Sequence, residues 1–191
     1  MQASAPGMAQ SPFQQEATMT AIRPTLCARC ARQGKTCCQG REIYLTPGDK
    51  QRIGAFSGNE DFVEWSPTTD PSYLDQDDDP PWRQHVFGPD GRRRILKRSA
   101  NGDCVFLGDR GCRLPLAVRP LLCRLHPLTY TAYAIDAEAD EGCPRHLLDP
   151  DESLFEAVQL TMGLARQWHR QLYEEIMTDA HDDRVDLRPS L

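Results

Sequence analysis

The strongest hydrophobic pattern lies near the C-terminal end of the chain. Leu154, Phe155, Val158, Met162, Ala165, Trp168, Leu172 and Ile176 recur at helical spacing. Asp149-Pro150-Asp151-Glu152 precedes them, with an Asp cap, a Pro at the first helical position and a Glu at the third. Together they predict an amphipathic helix over residues 150–177 whose apolar stripe is core packing rather than a cofactor face. Thr46-Pro47-Gly48-Asp49 has the same grammar and predicts a second helix running to about Phe56.

Elsewhere the pattern is shorter. REIYL (41–45) alternates as a strand does, and HVF, RRRILK and CVFL, separated by the turns GPDG and SANGD, predict short antiparallel strands over 84–107. TYTAYAI (129–135) is a further strand candidate. Pro115, Pro120 and Pro127 limit the segment around them to one-turn helices. Arg92, Arg93, Arg94, Lys97 and Arg98 read as an edge strand guarded by charge. Between Ser57 and Trp82 there is no Lys or Arg, while acidic residues and prolines abound, so 57–82 is expected to be an acidic surface insertion. Residues 1–23 are expected to be a disordered tail and 179–191 a flexible one, leaving 24–178 as the domain. The fold class expected is α+β: a small irregular domain, stabilised by metal, with short antiparallel strands and the C-terminal amphipathic helix.

Composition narrows the function. The net charge is -6 over 191 residues, which disfavours a general nucleic-acid binder because phosphate contacts need a basic footprint. The charged run at 92–98 lacks the interleaved aromatics of a single-strand binding surface. No apolar run approaches the roughly 18 residues that span a bilayer. The first residues lack the charged and apolar regions of a secretory signal, so the cytoplasm is the expected compartment. In that reducing setting eight cysteines are metal ligands or redox groups rather than four disulfides.

The cysteines form two groups. The first is Cys27-x2-Cys30-x6-Cys37-Cys38; a pair separated by two residues can turn both sulfurs to one ion. The second is Cys104-x7-Cys112-x10-Cys123, with Cys143 nineteen residues later, and its spacings make no knuckle by themselves. Eight thiols suit two four-ligand sites, or one cluster plus a second ion, and four thiolates suit zinc and an iron–sulfur cluster equally. A zinc ribbon would need a second C-x2-C, which the chain lacks. Arg29, Arg32, Lys35, Arg41, Arg119 and Arg124 lie within a few residues of a cysteine, where positive charge would lower thiol pKa and offset thiolates. His126 and His146, each three residues after a cysteine, are weaker ligand candidates.

CARCARQGKTCC, REIYLTPGDKQRI and GDCVFLGDRGCRLPLAVRPLLCRLHPL resemble the CxxCxxCC cysteine-cluster family, also called YkgJ-like, over about residues 27–147. The specific combination is a double cysteine, I-x-L-T-P-x-D, C-x-F-L and R-P-x-x-C-R. The resemblance implies a zinc- or iron-chelating domain with Cys27, Cys30, Cys37, Cys38, Cys104, Cys112, Cys123 and Cys143 as ligands. Arg119 and Arg124 fall in the matching arginine–proline stretch and are expected to support the ligands. His126 stands where the family usually has an aromatic residue, which argues for a ring replacement rather than a ligand. The expected function is therefore metal binding, through zinc or an iron–sulfur cluster, with a protein as a further partner. Two alternatives are a cluster-dependent enzyme similar to flagellin lysine N-methylases, and a thiol redox or metal-trafficking protein with Cys37 and Cys38 as its reactive pair. An enzyme is the less favoured class, because no glycine-rich cofactor loop is present.

Overall fold

The computed structural model describes residues 24–33, 37–68, 71–74, 77–139 and 142–179. The expected tails at 1–23 and 180–191 lie outside them. The architecture is α+β, and the described residues form helices around three separate two-stranded antiparallel sheets. Among the described residues no helix is long and apolar enough to cross a membrane.

In chain order the first elements are α1 (Leu26–Ala31), α2 (Cys37–Gly40) and α3 (Pro47–Ser57). The start of α3 follows the sequence reading. Thr46 accepts from Asp49 N–H and the Asp49 side chain accepts from Thr46 N–H, a reciprocal capping box that satisfies two helix-end donors. Strand β1 (Val63–Pro67) then pairs with β2 (Arg92–Leu96), and α4 (Pro80–His85) lies between them in sequence.

Three expectations are corrected in this region. HVF is not a strand: Asp79 caps Trp82 N–H, prolines occupy the first turn, and α4 runs through His85 before Val86 closes it in the core. The stretch 57–82 is not wholly a surface insertion, because it supplies β1 and buries Phe62, Asp79 and Trp82. Nor is β2 an edge strand. Beyond β1, its other side bonds to the 43–45 segment, with Leu45 N–H donating to Arg94 O at 2.9 Å and Leu96 N–H to Ile43 O at 2.8 Å. Arg93 and Arg94 are each 1% exposed. Arg94 Nη2 donates to Asp179 at 2.5 Å and its Nε to Leu45 O at 2.9 Å, while Tyr44 Oη donates to the same Asp179 carboxylate. Arg93 donates to Glu42 at 2.7 Å and lies 4.2 Å from the Tyr73 ring centre. These charges are tolerated inside because each has a carboxylate and an aromatic face. Asp179 is thus buried, although it falls at the start of the expected flexible tail.

The chain continues with the tight hairpin β3 (Leu107–Gly108) and β4 (Gly111–Cys112), the single turn α5 (Leu121–Leu125), and the hairpin β5 (Leu128–Tyr130) and β6 (Ile135–Ala139). TYTAYAI is therefore the turn of a hairpin rather than one strand. The C-terminal helix is present and ends at Met177, but it starts later than its sequence signal. Ser153 and Glu156 cap a short α6 (Leu154–Ala157), Gln159 then takes a left-handed φ of 60°, and Thr161 re-caps α7 (Met162–Met177). Asp149-Pro150 forms a turn in which Asp149 N–H bonds Glu152.

Three small apolar clusters result. The largest sets Ala165, Trp168, Leu172, Tyr173 and Ile176 of α7 against Trp82, Val86, Leu121, Leu125 and Leu128. Each large side chain so buried stabilises the fold by about 1.5–3 kcal/mol. A second joins Leu45, Ile53, Phe62, Leu96 and Leu114, with Cys104 and Cys112 on its margin. A third joins Leu26, Cys143 and Ala157. The cysteines thus adjoin two of these clusters.

Candidate metal centre

The first cysteine pair is set by α1. Thr25 caps Ala28 N–H at 3.3 Å, and Cys27 and Cys30, three positions apart, share one side of the short helix. Cys37 and Cys38 open α2, and Cys38 O accepts from Cys104 N–H at 2.8 Å, tying the two groups together through the main chain. Arg98 reinforces this joint, donating to Gln39 O at 3.0 Å and to Gly102 O at 2.7 Å.

Cys112 arrives by the β3–β4 hairpin, where it faces Leu107 rather than Cys104. Its neighbour Gly111 has φ 91°, and a Cβ there would lie 2.9 Å from Ala28 Cα. Only glycine permits so close an approach of β4 to the turn of α1 that lies between Cys27 and Cys30. Cys123 lies in the middle of α5, and Cys143 in the small core beside Leu26.

None of the eight cysteines is in a disulfide. The charge of Cys38 adds to the rise at Cys27, Cys30, Cys37, Cys104, Cys112 and Cys123, and that of Cys143 to the rise at Cys27. Burial pushes Cys27 and Cys104 up to about 11 and raises Cys30, Cys112 and Cys123. Cys37 is raised first by its hydrogen bond with Cys38 and then by burial. Arg119 lowers Cys27 and Cys112, as the sequence leads one to expect, and Arg98 lowers Cys104, but without an ion loss of water outweighs this positive charge.

Of the six cations nominated from sequence, Arg119 meets thiols most directly. It hydrogen-bonds Cys112 and opposes the burial of Cys27, with its Nε fixed on Leu114 O at 3.0 Å. Arg124 donates to Arg119 O at 2.6 Å and Ala117 O at 2.7 Å, with its guanidinium 5.8 Å from the Trp168 ring centre, and its charge interacts with Cys123. Arg29 is engaged by Glu152 at 2.5 Å and Asp149 at 3.3 Å. Arg32 and Arg41 are exposed, and Lys35 is outside the described residues. His146 is exposed, while the His126 main chain closes α5 by donating to Leu122 O at 3.0 Å. Arg98, whose charged run could also be read from sequence as offsetting nearby thiolates, opposes the burial of Cys104.

The donor chemistry suits a thiolate-bound ion. The N–H groups of Phe106 and Leu114, each two residues past a cysteine, hydrogen-bond Cys104 and Cys112 and favour their charged forms. The CxxCxxCC family, described as "Putative zinc- or iron-chelating domain", matches residues 26–144. The chain belongs to this family. No curated protein and no solved structure matches it. The CxxCxxCC match runs from α1 to the residue after Cys143, so it spans all eight cysteines and leaves α6 and α7 outside. Among the described residues, no three His, Cys, Asp or Glu side chains stand close enough to hold an ion as oriented. The segments that carry the cysteines are joined by the Cys104 N–H to Cys38 O bond and by the packing of β4 on α1.

Proposed function

We propose that Cys27, Cys30, Cys37, Cys38, Cys104, Cys112, Cys123 and Cys143 act together as one contiguous thiolate centre that holds more than one metal, as zinc ions or as an iron–sulfur cluster with a second ion, in a cytoplasmic protein. The position of Cys38 carries this reading. Two separate four-ligand sites would divide the thiols into groups, whereas Cys38 O accepts from Cys104 N–H at 2.8 Å and β4, which carries Cys112, lies against α1, which carries Cys27 and Cys30. Arg98 and Arg119 offset part of the thiolate charge, and Arg119 donates to Cys112. Bound zinc would cross-link two of the small apolar clusters, so that metal binding contributes folding free energy; a bound iron–sulfur cluster would add electron transfer.

The test is anaerobic purification followed by an absorption spectrum and zinc, iron and acid-labile sulfide analysis, on the wild type and on Cys38→Ser. Visible absorbance with iron and sulfide would identify a cluster, and a colourless protein with stoichiometric zinc the alternative. In either case Cys38→Ser should lose most of the metal, and metal removal should open residues 27–40 and 104–145 to protease together. A Cys38→Ser protein that keeps about half of its metal on intact ligands would establish two independent sites and overturn the single centre.

A further inference from the structure

Helix α5 carries Cys123 but has no cap of its own. Pro120 precedes it without a side-chain acceptor, and Leu121, whose N–H is the first donor of the turn, is fully buried. The partner of that N–H comes from a distant element. Asp49, also fully buried, accepts from Leu121 N–H at 3.1 Å on Oδ1 and 3.3 Å on Oδ2. The same carboxylate accepts from Thr46 N–H at 3.2 Å and from Arg52 Nη2 at 2.7 Å. Arg52 Nη1 donates to Glu175 on α7 at 2.6 Å. One carboxylate therefore sits where α3, α5 and, through Arg52, α7 meet.

We propose that Asp49 is a positioning residue for the metal centre, fixing Cys123 through the Leu121 N–H. The inference rests on the reading of Cys123 as a ligand. A single turn has almost no helical stability of its own, so the placement of Cys123 depends on what holds the first donor and on the burial of Leu121 and Leu125. A carboxylate without water is a costly way merely to begin α3, since Thr46 alone would cap it. Its cost is offset because it also satisfies α5. Metal–ligand distances tolerate only about 0.2 Å, so loss of this hydrogen bond acts on ligation before it acts on the fold.

The experiment uses the full-length protein with zinc and cobalt(II) as probes, comparing Asp49→Asn, Asp49→Ala and Cys123→Ser with the wild type. Asp49→Ala is expected to weaken cobalt binding by about 10–100-fold, as supporting partners of ligands do. Its thiolate-to-cobalt absorbance should fall to that of Cys123→Ser. In the zinc-loaded protein Cys123 alone should become open to alkylation. Asp49→Asn keeps a neutral acceptor for Leu121 and should restore part of the affinity, which keeps the test usable if Asp49→Ala does not fold. Equal exposure of all eight thiols in Asp49→Asn would show a general structural role and overturn the proposal. Cobalt binding by the Asp49 variants equal to wild type, with Cys123→Ser impaired, would overturn the role of Asp49 alone. If Cys123→Ser itself binds like wild type, Cys123 is not a ligand and the metal-centre reading falls together with this one.

Discussion

Gly111→Ala is a minimal change with a calculable effect on the centre. The added Cβ would lie 2.9 Å from Ala28 Cα and 3.3 Å from Ala28 N and Cβ. Carbon atoms prefer separations of about 3.5–4.0 Å, so α1 must retreat by roughly 0.6–1.1 Å. Ala28 Cα belongs to the backbone and cannot rotate away. The φ of 91° adds strain for a residue with a side chain, about 1–3 kcal/mol. That retreat carries Cys27 and Cys30 away from Cys112 by several times the roughly 0.2 Å that metal–ligand bonds tolerate. The expected result is a loss of about 1–3 kcal/mol in metal-free stability and at least a tenfold (~1.4 kcal/mol) loss in zinc affinity. Urea unfolding of the metal-free protein measures the first, and competition with a chromophoric chelator the second. Zinc affinity within about threefold of wild type, under ~0.7 kcal/mol, would refute the reasoning that α1 and β4 define the centre together.

Three further outcomes are expected. Asp179→Asn strands Arg94 in the core, where the two side chains are 1% and 4% exposed, and should cost about 3–5 kcal/mol or roughly 6–20 °C in Tm; a single-variant loss below ~1 kcal/mol would show the pair to be dispensable. Burial raises the Glu175 carboxyl, but hydrogen bonds from Arg52, Thr46 and Gln171 outweigh it and hold the group below its ordinary 4.5. Its contribution is therefore present above that value and lost as pH falls through the lowered one, so Glu175→Gln should flatten the acid limb of stability at matched metal content, and an unchanged limb would argue against the contact. Gln159→Gly relieves a left-handed residue at the α6–α7 break and should stabilise by about 0.5–1 kcal/mol after the entropy cost of glycine, measured by urea unfolding; destabilisation would contradict the φ of 60°.

What the sequence by itself determined is local or compositional. The capping box at Thr46 and Asp49 closes within one turn, so four residues suffice to specify it. The stripe on α7 was legible because helical periodicity reports which face is buried, whatever it packs against. The resemblance to the metal-chelating family was legible in the double cysteine, I-x-L-T-P-x-D, C-x-F-L and R-P-x-x-C-R taken together, and the family match over residues 26–144 agrees with it. Tertiary structure decided the rest. Arg93 and Arg94 look like surface charge until Glu42 and Asp179, 51 and 85 positions away, are brought to them. The two cysteine groups meet only when Cys104 N–H finds Cys38 O and glycine lets β4 lie against α1. Thiols that neighbouring arginines were expected to depress are raised, because other elements exclude the water that would have solvated their charge. Asp49 shows both sides: four residues make it a cap for α3, but only the fold hands it the N–H of Leu121, 72 positions on. Hydrogen-bond partners within a turn are fixed by chain geometry, whereas burial and long-range pairing depend on where every other element comes to rest.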